Sequence, residues 1–277
     1  MQDKQHSLNI CFIGGGNMAS ALIGGLAGKV TDGANIHVID LNADSLQRLQ
    51  QEFKVSTAEQ IDGRLASADV IVLAVKPQQM RGVVLQLLPH LQAQVILSIA
   101  AGIRGVDLSR WLKGYGAIVR TMPNTPALIG LGITGMVALP GVTPAQRGAT
   151  ETIMRAVGTT VWLDDEALID PVTAVSGSGP AYVFYFIEAM QQAALEMGLT
   201  HEQGTQLAIA TFTGAAQLAA QSDEPVSVLR ERVTSKGGTT YAALSSMEAD
   251  GVKDAIVRAL KAAAARGKEL GEEFGKE

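Results

Sequence analysis

CFIGGGNMASALIGGL, residues 11–26, runs a short apolar segment into three glycines and then into a pattern of small and apolar residues at helical spacing. The six residues Gly14-Gly15-Gly16-Asn17-Met18-Ala19 have the form G-x-G-x-x-A. In that form Gly14 permits a tight turn, Gly16 lets backbone approach a pyrophosphate, and Ala19 allows a helix to pack close to a strand. The unpaired N–H groups of the helix start then face the phosphates, with the helix dipole favouring negative charge. A lone glycine triplet is weak evidence. Here a strand pattern precedes it, a helix follows, and a second strand, NIHVID (35–40), comes next. That order predicts a dinucleotide-binding fold.

Working outward, short β-branched runs alternate with amphipathic segments up to about residue 163. The candidate strands are NICFIG, NIHVID, VIVLAV, VILSIA, AIVRTM and TTVWL. Such alternation predicts a parallel sheet covered by helices on both faces. Beyond VWLDDEAL the period changes to that of helices, and no strand pattern returns. The expectation is an α/β Rossmann-type domain over residues 1–163, followed by an all-α domain over 164–277. The helix from Gly179 is apolar around most of its circumference, at Tyr182, Val183, Phe184, Phe186, Ile187, Met190, Ala193 and Leu195. Such a helix must be buried on several sides. The few helices available predict that a second subunit supplies part of the cover.

Strand ends form the binding edge of an open parallel sheet, so each is a candidate cofactor contact. Asp40 closes the second strand 21 residues beyond Ala19, where a carboxylate hydrogen-bonds the ribose hydroxyls of NAD and repels the 2′-phosphate of NADP. The competing expectation is an aspartate that caps the following helix. Ala74, Val75, Lys76 and Pro77 close a third strand. Ala101 and Gly102 close a fourth, with the missing side chain of Gly102 expected to leave room for a nicotinamide ring. Asn124, fixed between Pro123 and Pro126, offers an amide that both donates and accepts, as a carboxamide partner must.

Two breaks interrupt the helical half. Ser176-Gly177-Ser178-Gly179-Pro180 is expected to start a helix, with Pro180 near its first turn. The second break, TSKGGTTYAAL (234–244), carries two glycines and then two threonines. Glycines free the backbone, and the N–H groups of Gly238, Thr239 and Thr240 then head a helix, a cradle for a carboxylate or phosphate. The hydroxyl of Thr240 can reach a second polar atom on the same ligand.

Composition excludes several classes. The formal net charge is −5, with no basic stripe to follow a phosphate backbone, so a nucleic-acid partner is not expected. The single cysteine, Cys11, rules out a disulfide framework and reads as a buried thiol. The four histidines are scattered, with no metal-ligand spacing. The polar N-terminal residues lead straight into a strand, so no secretory leader is expected. The uncharged run TMPNTPALIGLGITGMVALPGVTPAQ contains four prolines, which argues against a membrane span. A cytoplasmic enzyme is the expectation.

The segments FIGGGNMA, LAVKPQ, MPNTP, SGSGPAYVF and VTSKGGTTYAAL, in this order and spacing, resemble the Δ1-pyrroline-5-carboxylate reductase family of proline biosynthesis, over nearly the whole chain. The resemblance implies reduction of the cyclic imine to L-proline with NADPH or NADH. It also implies an intertwined homodimer through the helical domain, often assembled further into a decamer. It places cofactor contacts at Ile13 through Met18 (Gly14, Gly15, Gly16 and Asn17 between them), at Ala74 through Pro77 and at Ala101. It places the substrate carboxylate on the loop Ser235, Gly237, Gly238 and Thr239, and sets Thr240 near the imine nitrogen as the catalytic residue. IDLN (39–42) departs from the Ser, Thr, Asn or Arg usual near this strand end in NADPH-preferring members. Arg232 stands just before the loop, within reach of a neighbouring subunit's cofactor phosphate on this reading. A hydroxyacid dehydrogenase of similar layout would carry a lysine on the helix after SGSGP, and none occurs there for about fifteen residues. A non-catalytic dinucleotide sensor would have no use for the second anion cradle.

Overall fold

The computed structural model describes residues 7–276; the polar N-terminal residues 1–6, His6 included, and residue 277 lie outside the described residues. The chain forms two compact units. One comprises the chain through Ser178 together with the segment from Ala263 onward, and the other is Gly179–Ala262.

The first unit alternates strand and helix. In chain order it runs β1 (Ile10–Ile13), α1 (Asn17–Leu26), β2 (Ile36–Ile39), α2 (Ala43–Phe53), β3 (Ser56–Ala58), β4 (Val70–Leu73), α3 (Pro77–Leu87), β5 (Val95–Ser98), α4 (Gly105–Trp111), β6 (Ile118–Met122), β7 (Gly132–Ala138), α5 (Pro144–Arg155), β8 (Gly158–Trp162) and α6 (Ile169–Val172). The strands form one sheet in the order β3-β2-β1-β4-β5-β6-β7-β8. Strand order reverses at β1, so β1 and β4 lie side by side with their C-terminal ends together. This is the switch point at which an open α/β sheet binds its ligand.

Every residue of β1, β2, β4 and β5 is buried, because both faces of the sheet are covered. Side chains alternate between those faces. Ile10, Phe12, Val38, Val72 and Leu97 join one core with Leu22 and Ile23 of α1 and Ile153 of α5. Cys11, Ile13, Ile71, Leu73 and Ile96 join the other with Met80 and Val84 of α3 and Leu108 of α4. Burial pushes the Cys11 thiol up to about 12, with the Asp62 charge adding to the effect, which makes this the neutral core thiol expected.

The sheet departs from expectation in three places. β3 is three residues long and half-buried, too short to announce itself. β7 lies in the proline- and glycine-rich run and pairs antiparallel to β6. β8 is parallel to β7, so the strand TTVWL runs against the rest of the sheet instead of extending it in parallel. A short connection makes β7 a hairpin partner of β6, and no crossover helix is needed between antiparallel neighbours.

The compact units part after Ser178, later than the residue-163 boundary that the change of period suggests. The cause is a buried arginine. Arg120 of β6 is 3% exposed, and its guanidinium meets Glu166 at 3.0 Å and Asp170 at 3.9 Å. Glu166 also accepts the Gly105 N–H. These bonds hold the segment before α7 against the sheet.

The second unit comprises α7 (Gly179–Glu196), α8 (His201–Gln221), α9 (Val226–Arg232), α10 (Thr239–Ala249) and the start of α11 (Val252–Gly275). Its helices bury few residues: Ala194 of α7, and Gly204 and Ala208 of α8. Phe184 is 60% exposed, Tyr185 70% and Met197 77%. An apolar surface of this extent is the mark of an interface.

The candidate active site

The glycine turn sits where the sheet reverses. Gly14 has φ of +104°, a backbone open to glycine, and a β-carbon there would lie 2.6 Å from the Ala74 carbonyl oxygen. Its role is thus a close approach between the ends of β1 and β4 as well as a turn. Gly16 caps α1 with no side-chain hydrogen bond, and a β-carbon on it would meet nothing within 4 Å. The first N–H groups of α1 are therefore left for a ligand. By contrast, Asn42, Thr143 and Thr200 each cap their own helices through a side-chain oxygen. Ala19 is buried at 1% exposure, packed into the core beside β1.

A cleft of about 810 Å³ opens at this edge, with Ile13, Gly14, Gly16, Asp40, Ala74 and Lys76 among its walls. Val75 also borders it, while Pro77 begins α3. Asn17 is exposed and Met18 half-buried on the first turn of α1. Asp40 is partly buried and uses both carboxylate oxygens locally. Oδ2 accepts the Gly15 N–H at 2.6 Å, and Oδ1 accepts the Asn42 N–H at 2.8 Å. The helix-capping alternative for Asp40 goes instead to Asn42, whose Oδ1 accepts the Ser45 N–H. Ser45 closes the ring by donating to the Gly15 carbonyl. Glu59 and Gln60 line the same end of the cleft. Glu59 is a second carboxylate there that the motif analysis passed over, since it follows a strand too short to recognise.

Two of the expected cofactor contacts, Gly102 and Asn124, also meet other parts of the protein. The space left by the missing side chain of Gly102 is occupied: a β-carbon there would lie 3.2–3.3 Å from Leu270 and Phe274 of α11. Ala101 beside it is exposed. Asn124 is 9% exposed, and its amide makes two hydrogen bonds to the protein. Oδ1 accepts the Ile133 N–H at 3.0 Å, and Nδ2 donates to the Ser176 carbonyl at 3.2 Å. Asn124 thus clamps β7 to the turn before α7. That turn, Thr173–Gly177, is π-helical, and after a bend at Ser178 the helix α7 starts at Gly179 with Pro180 in its first turn, as the sequence predicts.

The glycine–threonine loop belongs to the second unit. Gly237 adopts φ of +74° in a turn closed by the Gly238 N–H to the Ser235 carbonyl, 3.0 Å. Gly238 then begins α10 with no side-chain cap. Thr239 is exposed and Thr240 half-buried in the first turn. The two glycines are explained: one makes the turn, the next keeps the helix start bare. Arg232 is bound by Glu224 through two nitrogens within the same unit.

Comparison with known proteins decides the family. The chain is 45% identical to the pyrroline-5-carboxylate reductase of Pseudomonas aeruginosa, over 96% of this chain and 98% of that one. The chain belongs to the pyrroline-5-carboxylate reductase family. A solved pyrroline-5-carboxylate reductase from Coxiella burnetii is 40% identical, with a TM-score of 0.90 over 96% of this chain and 99% of that one. A Plasmodium falciparum pyrroline carboxylate reductase, solved with NADP bound, is 29% identical with a TM-score of 0.85 over 95% and 98% of the two chains.

Within this reductase, residues 166–270 match the model described as pyrroline-5-carboxylate reductase dimerisation. Residues 9–102 match the model described as NADP oxidoreductase, coenzyme F420-dependent. The reductase is an oxidoreductase with a Rossmann-type nucleotide domain and a helical region that matches the family's dimerisation model, which supports a homo-oligomer. Among the described residues, no helix is long and apolar enough to cross a membrane, and no group of acidic, histidine or cysteine side chains is placed to hold a metal ion.

Proposed function

We propose that this chain reduces 1-pyrroline-5-carboxylate to L-proline by hydride transfer from NADPH or NADH, the final step of proline biosynthesis. Residues 1–163 hold the dinucleotide on this reading, and residues 164–277 bind the imino acid and form a homodimer, with a decamer as the larger assembly. Cytoplasmic residence is part of the same reading. What supports it most is that two glycine-headed helices start without a side-chain cap, α1 at Gly16 within a dinucleotide fingerprint and α10 at Gly238 followed by two threonines.

The dinucleotide, when bound, supplies the hydride. The residues fit such a group: α1 presents uncapped N–H groups at Gly16, and Ala74, Val75 and Lys76 border the same cleft. Asp40 and Glu59 set two carboxylates at the ribose end, an environment that favours NADH over a 2′-phosphate. Ile13 through Ala19, Asp40 and Ala74 through Pro77 are the cofactor residues proposed, with Ala101 on the loop after β5.

For the substrate, the N–H groups of Gly238 and Thr239 receive the carboxylate, with Ser235 and Gly237 shaping the turn. The imine arrives protonated and is already an electrophile. Hydride addition at its carbon moves the C=N π pair onto nitrogen, which keeps its proton and becomes the secondary amine. Thr240 accepts the iminium N–H hydrogen bond and so fixes which carbon faces the hydride donor. Orientation of this kind contributes about 7–11 kcal/mol in favourable cases. Thr240→Ala is expected to lower kcat/KM by about 1–3 kcal/mol of transition-state stabilisation, the loss of one hydrogen bond. A variant that turns over normally at saturation and loses only dinucleotide affinity would remove Thr240 from this role.

A further inference from the structure

Away from the nucleotide cleft, a second cavity of about 750 Å³ opens between α3, α4 and the end of α11. Arg81 of α3, Arg104 and Arg110 at the two ends of α4, and Lys276 beyond α11 all line it. Glu272 is the acidic residue in its wall. The arginines of α4 are held in place from below. Asp107, 2% exposed, accepts Arg104 Nε at 2.6 Å and Arg110 at 3.1 Å. Arg110 also donates to the Gly275 carbonyl, and the side chain of Arg104 packs along Gly271. Arg81 makes no ion pair among the described residues. Four cations therefore stand against two carboxylates, on a protein whose overall charge is −5.

An aromatic side chain also borders the cavity. Trp111 lines this cavity and is 8% exposed, and its indole N–H is buried with no acceptor among the described residues. Guanidinium groups fixed by a carboxylate lose little further freedom when a second anion binds them. The local excess of positive charge matches a phosphate monoester, which carries about −1.5 to −2 at neutral pH. The cavity is far larger than inorganic phosphate alone needs, and Leu85 and Trp111 give it an apolar wall.

We propose that this cavity binds a small organic phosphate, at a site separate from the dinucleotide cleft. The phosphate is held by Arg81, Arg110 and Lys276 and by the free N–H groups of Arg104, and the organic portion lies against Leu85 and Trp111.

Trp111 is also the reporter. The chain has two tryptophans, and Trp162 lies on β8 beneath Arg147. In Trp162→Phe protein the remaining emission comes from Trp111. The experiment titrates inorganic phosphate and glycerol 3-phosphate into this variant with NADH at saturation, against sodium chloride of equal ionic strength. Calorimetry on the unsubstituted protein under the same conditions gives a second measurement independent of the tryptophan change. The proposal predicts a saturable response, tighter for glycerol 3-phosphate than for inorganic phosphate. Arg81→Ala combined with Lys276→Ala should weaken it by about tenfold or more, losing two charge-assisted contacts. A response matched by chloride, one abolished by saturating NADH, or one indifferent to the paired substitution would overturn it. Because binding is read without turnover, failure here leaves the proposed reduction of the imine standing.

Discussion

The carboxylate of Asp40 accepts the Gly15 amide hydrogen at 2.6 Å, so the end of β2 is tied directly to the glycine turn after β1. One residue therefore both shapes the turn and places a carboxylate in the wall of the cleft, at the end proposed to hold the ribose. The two roles separate on substitution. Asp40→Asn keeps an acceptor for Gly15 and removes the charge, whereas Asp40→Ala removes both. We expect Asp40→Asn to shift the ratio of kcat/KM for NADPH over NADH upward by about tenfold, since repulsion of a 2′-phosphate is relieved. Asp40→Ala should in addition lower the melting temperature, because a hydrogen bond to a charged group contributes about 1.5–3 kcal/mol, less where solvent screens it. Parallel steady-state assays and thermal melts of the two variants make the comparison. An unchanged ratio in both would show that Asp40 is a turn residue only.

Asn124 carries a different load. With its amide shared between the Ile133 N–H and the Ser176 carbonyl, truncation removes a partner from two backbone groups in a half-buried place. Asn124→Ala is expected to cost about 1–3 kcal/mol in urea unfolding. The KM for dinucleotide should change less than stability does. A stable variant with a large rise in that KM would return Asn124 to the cofactor contact that its position in MPNTP suggests.

Stability at acid pH should depend on Glu151. Its carboxyl is held below the ordinary value of 4.5, first by the Trp162 indole N–H, which donates at 3.1 Å, and next by Arg155. A carboxylate with a depressed folded-state pKa stabilises the fold above its unfolded pKa, and that contribution is lost as pH falls through the folded value. The melting temperature of the unsubstituted protein should therefore fall more steeply below pH 4.5 than that of Glu151→Gln. Melts across pH 3–7 test this, and parallel curves for the two proteins would assign the acid loss to other carboxylates.

Legibility in the sequence followed the physics of each signal. Strands buried on both faces are continuous apolar runs, and VIVL and VILS could be recognised without tertiary information. The glycine fingerprint was legible because strand, turn and helix chemistry all agree at one place. β7 was hidden because GITGMVA mixes glycines with apolar residues: Gly132 and Gly135 are selected by neighbours, Ala127 and Val172, that only the fold brings close. At Gly102, too, the fold adds what the sequence could not show, since its missing side chain makes room for Phe274, distant in sequence. Asn124 shows the limit for polar side chains. Its chemistry could be read from MPNTP, but whether it faces a ligand or the backbone depends on where Ser176 and Ile133 arrive. Ser235 to Thr240 came through intact as a bare helix start, because backbone conformation at successive glycines is a local property.

The central claim is the reaction, and loss of absorbance at 340 nm on adding 1-pyrroline-5-carboxylate tests it most directly, with NADH and NADPH run side by side. The account predicts turnover that depends on the imine, forms L-proline in amount equal to the dinucleotide consumed, and is faster per molar NADH than NADPH. Folded protein that binds dinucleotide yet oxidises neither cofactor in the presence of the imine would contradict it.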